Sequence, residues 1–113
     1  MDASVLNPRL RKAVKLAGKA RHHSHKHAAL VYKSGALVAQ GVNHDEVHAE
    51  VQALKKLWPS ERRDTTVVSI RMTRGGVLGM AKPCIACEAY MREAGVKKVI
   101  YSDNDGQMQT MRL

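Results

Sequence analysis

The stretch "PCIACEAYMREAG", residues 83–95, holds both cysteines of the chain, Cys84 and Cys87, three positions apart and directly after Pro83. A helix fits from Cys84 to Ala94, closed by Gly95, because helices commonly end on a glycine in the left-handed conformation. In the first turn of such a helix an offset of three puts both thiols on nearly the same face, aimed at one spot off the N-terminus. The unpaired N–H groups there favour thiolates, the form that binds metal. A zinc ion takes four ligands, and this stretch supplies two.

The segments on either side define the architecture. After Gly95, "VKKVIYS" and "QMQTMRL" read as two strands around Asp103-Asn104-Asp105-Gly106, a turn too short for a crossover helix, so they should pair antiparallel. Before Pro83, "TTVVSIRM" is a strand by its β-branching, and "TRGGVLGMAK" is a Gly-rich loop with a short return strand. Further back, Val47, Val51, Leu54 and Trp58 fall at helical spacing, with Lys55 and Lys56 opposite and Pro59 following, which predicts a helix over 46–58. "AALVYKSGALVAQGVN" is two β-type runs around Ser34-Gly35, a hairpin. Asn7 and Pro8 make a cap and first-turn proline for a helix over 8–20, on which Leu6, Leu10, Ala13, Val14 and Ala17 recur. The order αββαβαββ predicts an α/β fold: one mixed sheet of about five strands with helices on its faces and a C-terminal antiparallel hairpin.

With 113 residues, residues 1–113 are expected to form one domain around one core. Hydrophobic residues make up 44% and charged residues 26%, ordinary for a globular protein, and no apolar run approaches the ~20 residues of a membrane span. Charge runs through the N-terminal segment, unlike a signal peptide, so a cytoplasmic location is expected and both thiols should stay reduced. The net charge is +9, and no acidic residue lies between Asp2 and Asp45. That half should attract phosphate on a nucleotide or a nucleic acid, or else present a solvated basic face.

Four chemistries compete for Cys84 and Cys87. A redox dithiol also uses CxxC at a helix start, but the element order does not suit the thioredoxin fold. "HDEVH" places His44 and His48 four apart, yet the zincin motif needs Glu where Asp45 stands, and it leaves the cysteines idle. His44, His48, Cys84 and Cys87 would close a tetrahedral structural zinc. Alternatively one histidine, both cysteines and a water hold the metal: "HAE", residues 48–50, followed by Pro83-Cys84-Ile85-Ala86-Cys87, is the H-x-E…P-C-x-x-C pattern of zinc-dependent deaminases.

On these motifs the chain resembles the cytidine deaminase-like superfamily, from the hairpin to its end. The resemblance implies a three-layer fold in which the second and third helices lie side by side and hold one Zn2+ between their N-termini. His48, Cys84 and Cys87 would be the ligands and water the fourth. Glu50 would be the catalytic proton carrier, protonating the ring nitrogen and then the leaving amine as water replaces the amino group and ammonia departs. On a regular helix His48 and Glu50 point about 200° apart, so both can approach one centre only if it lies off the helix end. Asn43 matches a position that family members use to hold sugar or base, and Ala49 and Pro83 flank the expected substrate.

The C-terminal hairpin resembles nucleoside cytidine deaminases, which implies a free cytosine nucleoside or nucleotide as substrate. Three features depart from the pattern: His48 where those enzymes usually have Cys, Lys82 where many relatives have Glu, and the long "RMTRGGVLGMAK" segment. His22, His23, His25 and His27, just before the first strand, are candidates to contact phosphate or a base, against a solvated loop or adventitious metal binding. Phe is absent and Trp58 lies on the apolar helix stripe, so stacking platforms for single-stranded nucleic acid are few, while the basic charge speaks for a polynucleotide or a nucleic-acid-binding module. A homo-oligomer is expected, because relatives often complete their pockets with a neighbouring subunit.

Overall fold

The computed structural model describes residues 8–18, 26–43, 47–73 and 76–113. Its elements are α1 (Pro8–Ala17), β1 (Lys26–Lys33), β2 (Ala36–Val42), α2 (Ala49–Lys55), a 3-10 turn (Pro59–Glu61), β3 (Thr66–Met72), β4 (Leu78–Gly79), α3 (Ile85–Ala94), β5 (Lys98–Ser102) and β6 (Met108–Arg112). The strands form one mixed sheet in the order β2-β1-β3-β5-β6. Among the described strands only β3 and β5 pair in parallel, and α3 is the crossover between them. The short β4 pairs with Arg71 and Met72, beyond the reach of β5 along the same edge of β3, so it is the return strand expected in the Gly-rich segment. Among the described residues no helix is long and apolar enough to cross a membrane.

The pleat sorts the sheet residues into two cores. Ala28, Leu30, Tyr32, Val68 and Ile70 face α1 through Ala13 and Ala17. Ala29, Val31, Val67 and Val99 face the other way, onto Ala49, Ala53, Leu54 and Leu57 of the α2 segment and Cys87 and Met91 of α3. The result is three layers, with α1 on one side and α2 and α3 together on the other. Central strands covered on both faces read as near-continuous apolar runs, as "AALVY" and "TVVSI" do.

The β1–β2 hairpin turns on Ser34 and Gly35, both at positive φ, the two-residue turn whose twist matches that of the strands. α3 ends at Gly95 with φ 89°, the left-handed cap read from the sequence. Two helix expectations are corrected. α2 is shorter than 46–58, and its buried side is Ala49, Glu50, Ala53 and Leu54, so Trp58, assigned to the apolar stripe, is 75% exposed beyond the helix end. Pro59 opens a 3-10 turn, which reorients the chain before Trp58 can follow the helical phase. Described α1 ends at Ala17; the Asn7 cap lies outside the described residues.

α2 is tied to the outer edge of β2. Gln52 Oε1 accepts from the Val42 amide at 2.7 Å, and Lys56 Nζ donates to the Gln40 carbonyl at 2.5 Å, which satisfies an otherwise open strand edge. Gly41 permits this approach: a Cβ there would lie 2.8 Å from both the Ala49 carbonyl and the Ala53 amide. Gly41→Ala must therefore push α2 off the sheet, at a cost of about 1–3 kcal/mol. We expect a melting temperature lower by roughly 5 °C or more in thermal denaturation; an unchanged melt would contradict this packing.

Candidate active site

The two helices of the shared layer each begin at a candidate metal ligand. His48 is the residue before α2 and Cys84 the residue before α3, both with extended backbone, and neither makes a side-chain cap. Their side chains are thus released from helical geometry, whereas Cys87 is held in the first turn of α3 and buried. Cys84 is exposed, so the two thiols meet the same spot from opposite degrees of cover. The loop leading into Cys84 is pinned to the end of β5: the Ala81 amide donates to the Ser102 carbonyl, and the Met80 amide to Asn104 Oδ1.

His48, Cys84 and Cys87 bring three donor atoms within 4.8 Å of one another. His48 Nδ1 is 3.0 Å from Cys87 Sγ and 3.6 Å from Cys84 Sγ. A tetrahedral zinc site with bonds of about 2.1 and 2.3 Å has N–S edges of about 3.6 Å. One nitrogen and two sulfurs at these separations fit one zinc ion. Burial, the neighbouring charge of Glu50 and Cys84 push the Cys87 thiol upward, a cost that a divalent cation reverses by favouring thiolate. His44 and Asp45 lie outside the described residues.

Glu50, at the second position of α2, is 1% exposed, and its Oε1 is buried without a hydrogen-bond partner among the described residues. Burial raises its carboxyl above the ordinary range. A carboxyl kept easy to protonate, near a metal site that it does not join, suits proton transfer.

His27 is corrected from the loop patch to a place inside β1, while His22, His23 and His25 lie outside the described residues. The period-two pleat places it two positions before Ala29, on the face that carries α2 and α3. Its ring Nε2 lies 2.5 Å from Ser69 Oγ and 3.4 Å from Glu50 Oε1. Asn43 holds its backbone: the His27 amide donates to Asn43 Oδ1 at 2.9 Å, and its carbonyl accepts from the Asn43 amide at 3.1 Å.

Burial first, then the charges of His48 and Arg71, lower the His27 pKa from 6.5 to about 4. The folded protein thus leaves His27 neutral where the unfolded chain protonates it. Stability should fall by up to roughly 3 kcal/mol from this residue as pH drops from 6.5 toward 4. Glu50 pulls the other way, because its raised pKa lets the folded state take up a proton first. Denaturant midpoints across pH 4–7 for wild type and His27→Gln should therefore diverge, with wild type losing more on acidification; parallel profiles would contradict the depressed value.

A cavity of about 220 Å³ opens over these groups, lined by His27, Asn43, His48, Arg71, Met80, Ala81, Lys82 and Cys84. Of the expected substrate contacts, Asn43 and His27 line it. Ala49 packs in the core instead, and Pro83 is buried just before Cys84. Arg71 and Ser69 were missed. Their signal was in the alternation of β3: on a strand buried on both faces, Val67, Ser69 and Arg71 share one face, so polar side chains enter it where the cavity lies.

Residues 6–103 match the family described as the cytidine and deoxycytidylate deaminase zinc-binding region. Among solved structures, Acinetobacter baumannii RibD is similar with a TM-score of 0.61 at 20% identity over 82% of this chain. A diaminohydroxyphosphoribosylaminopyrimidine deaminase/5-amino-6-(5-phosphoribosylamino)uracil reductase from Thermotoga maritima is similar with a TM-score of 0.60 at 21% identity over 85% of it. The matches cover 26% and 28% of those two proteins, so the chain spans about a quarter of their length. No curated protein matches the chain.

Proposed function

The chain belongs to the cytidine and deoxycytidylate deaminase zinc-binding family, and from that premise we propose that it is a zinc-dependent deaminase that hydrolyses the amino group of a cytosine base, presented as a free nucleoside or nucleotide. The observation that carries this is Glu50, a buried carboxyl with an unsatisfied oxygen beside a three-donor cluster and an open cavity. A closed structural site has no use for such a group, since an unpaired buried polar atom costs stability.

When bound by His48, Cys84 and Cys87, zinc supplies a Lewis acid that lowers the pKa of a water to roughly 7. Glu50 takes the proton released from that water and gives it to the ring nitrogen next to the amino-bearing carbon. A C–O bond forms as that carbon turns tetrahedral. Glu50 then takes the remaining proton from the newly added hydroxyl and gives it to the amine, the C–N bond breaks as the C=O forms, and ammonia leaves a carbonyl behind. The cavity walls orient the ring, through Asn43 at the end of β2 and Ala81 before α3. A single domain over residues 1–113, assembly into a homo-oligomer and a cytoplasmic setting belong to the same proposal.

A free substrate is favoured over a polynucleotide by the position of the basic helix. Arg11, Lys12 and Lys15 of α1 lie on the layer opposite α2 and α3, with the sheet between them and the cavity. The test is ammonia release from cytidine, deoxycytidine and their phosphates, beside uracil formation in single-stranded DNA and RNA, at low and moderate salt. Turnover of the free compounds alone is the expected result. Editing of polynucleotides that collapses as salt rises would replace the substrate class, and salt-sensitive binding with no deamination would leave a zinc-stabilised binding module.

A further inference from the structure

The bond network beneath Glu50 links His27, Ser69 and the Ala81 carbonyl in one chain. Ser69 Oγ is fully buried and donates to the Ala81 carbonyl at 3.2 Å. A hydroxyl has one proton to give. If the hydroxyl proton goes to Ala81, the 2.5 Å contact between Ser69 Oγ and His27 Nε2 is met by an imidazole that donates, the Nε2–H tautomer; a hydroxyl turned onto Nε2 would instead leave the Ala81 carbonyl without this donor. The same Nε2 lies 3.4 Å from Glu50 Oε1, the buried carboxylate oxygen without a hydrogen-bond partner.

We propose that His27 is a positioning residue for Glu50: Asn43 fixes its backbone and Ser69 its imidazole, so that its Nε2–H points between Ser69 Oγ and Glu50 Oε1 and restrains the carboxylate in the orientation that proton transfer needs. The proposal rests on the reading of Glu50 as the proton carrier. Three elements hold the arrangement. Two backbone bonds to Asn43 fix the strand position of His27. Ser69 lies on the adjacent strand β3, in antiparallel register with Ala29, two residues along β1 from His27. Glu50 comes from the first turn of α2. The 3.4 Å separation needs a shift of only a few tenths of an ångström to become a hydrogen bond, and catalytic hydrogen bonds often tighten only when substrate binds. Ser69 reaches the cavity wall as well, because its acceptor is the carbonyl of Ala81.

Two measurements test this on the full chain. In 15N-histidine NMR, with His27→Gln used to assign the signal, His27 should show a protonated Nε2 and an unprotonated Nδ1. Its Nε2–H resonance should move in both Glu50→Gln and Ser69→Ala. A protonated Nδ1, or a resonance that ignores Glu50→Gln, overturns the proposal. In steady-state kinetics at equal zinc content, His27→Phe keeps a ring of similar shape but has no donor. It should lose kcat by about ten- to a hundredfold, the range for a hydrogen bond to a charged group, with KM changed by no more than about twofold. His27→Gln, which keeps an N–H donor, should recover most of that loss. Equal impairment of the two variants, or an effect carried by KM, makes His27 a wall residue and overturns the positioning role. If the wild type deaminates none of the compounds tested, the proposed function fails, and the NMR result still decides where the His27 proton points.

Discussion

Glu50→Ala abolishes turnover and leaves the zinc content of the protein unchanged: this is the expected result, with a loss in kcat on the order of 10²–10⁴ or greater, the range for removal of a general acid–base group. The argument has two halves. Glu50 is not among the three donors that approach one another, so its removal takes nothing from the metal cluster. Yet it is 1% exposed with an orphaned oxygen, an arrangement that a purely structural residue would not sustain. The stability consequence has an unusual sign for a core substitution. Truncation leaves a small void, but it also removes a carboxyl whose burial is penalised, so the melting temperature should change little or rise. Glu50→Gln separates size from charge: it fills the same volume and should be as inactive as Glu50→Ala, because an amide cannot carry the proton. Metal analysis, thermal melts and ammonia release on the three proteins check every part. Near-normal turnover in either variant would end the proton-carrier role.

The fold was legible in the sequence to the extent that each element carried its own local signal. Ser34-Gly35 announced a two-residue hairpin, Gly95 a left-handed helix end, and Asp103 to Gly106 a turn too short for anything but an antiparallel partner; each is decided by backbone sterics within a few residues. The sequence also contained the candidate metal cluster, because HxE and PCxxC are contiguous and their spacing survives any rearrangement of the loops between them. Trp58 was misread because helical phase was extended past the point where the helix stops. Lys56 already caps α2, and Pro59 redirects the chain, which no periodicity count includes. His27 was grouped with His22, His23 and His25 by composition, although its strand position at the start of "HAALVY" gives it a different environment from a histidine in a loop. Ser69 and Arg71 were read as ordinary members of a β-branched strand. Their importance is tertiary: β1, α2 and the segment before α3 converge on their end of β3, and nothing local to "VVSIRM" encodes that convergence.

Replacement of any one of His48, Cys84 or Cys87 by Ala should release the zinc, and the three losses should differ in what they do to the fold. Differences in burial set the order. Cys87 is buried in the core of the α2–α3 layer beside Ala49, Ala53 and Met91, so its loss removes both a ligand and packing, and Cys87→Ala should be the least stable of the three. His48 and Cys84 are exposed at the helix starts, and their replacement should cost stability only through the lost metal. Chelation of the wild type therefore predicts the melting temperature of His48→Ala and Cys84→Ala, since ligand linkage is all that separates them. His44→Ala is the control that discriminates between a closed and an open site. A four-ligand structural zinc needs His44 and would be lost with it; a site that keeps a position for water does not. We expect His44→Ala to retain one zinc per chain by metal analysis while His48→Ala retains none. Equal loss from the two variants would close the coordination sphere, leave no place for water, and remove the basis for hydrolysis at this centre.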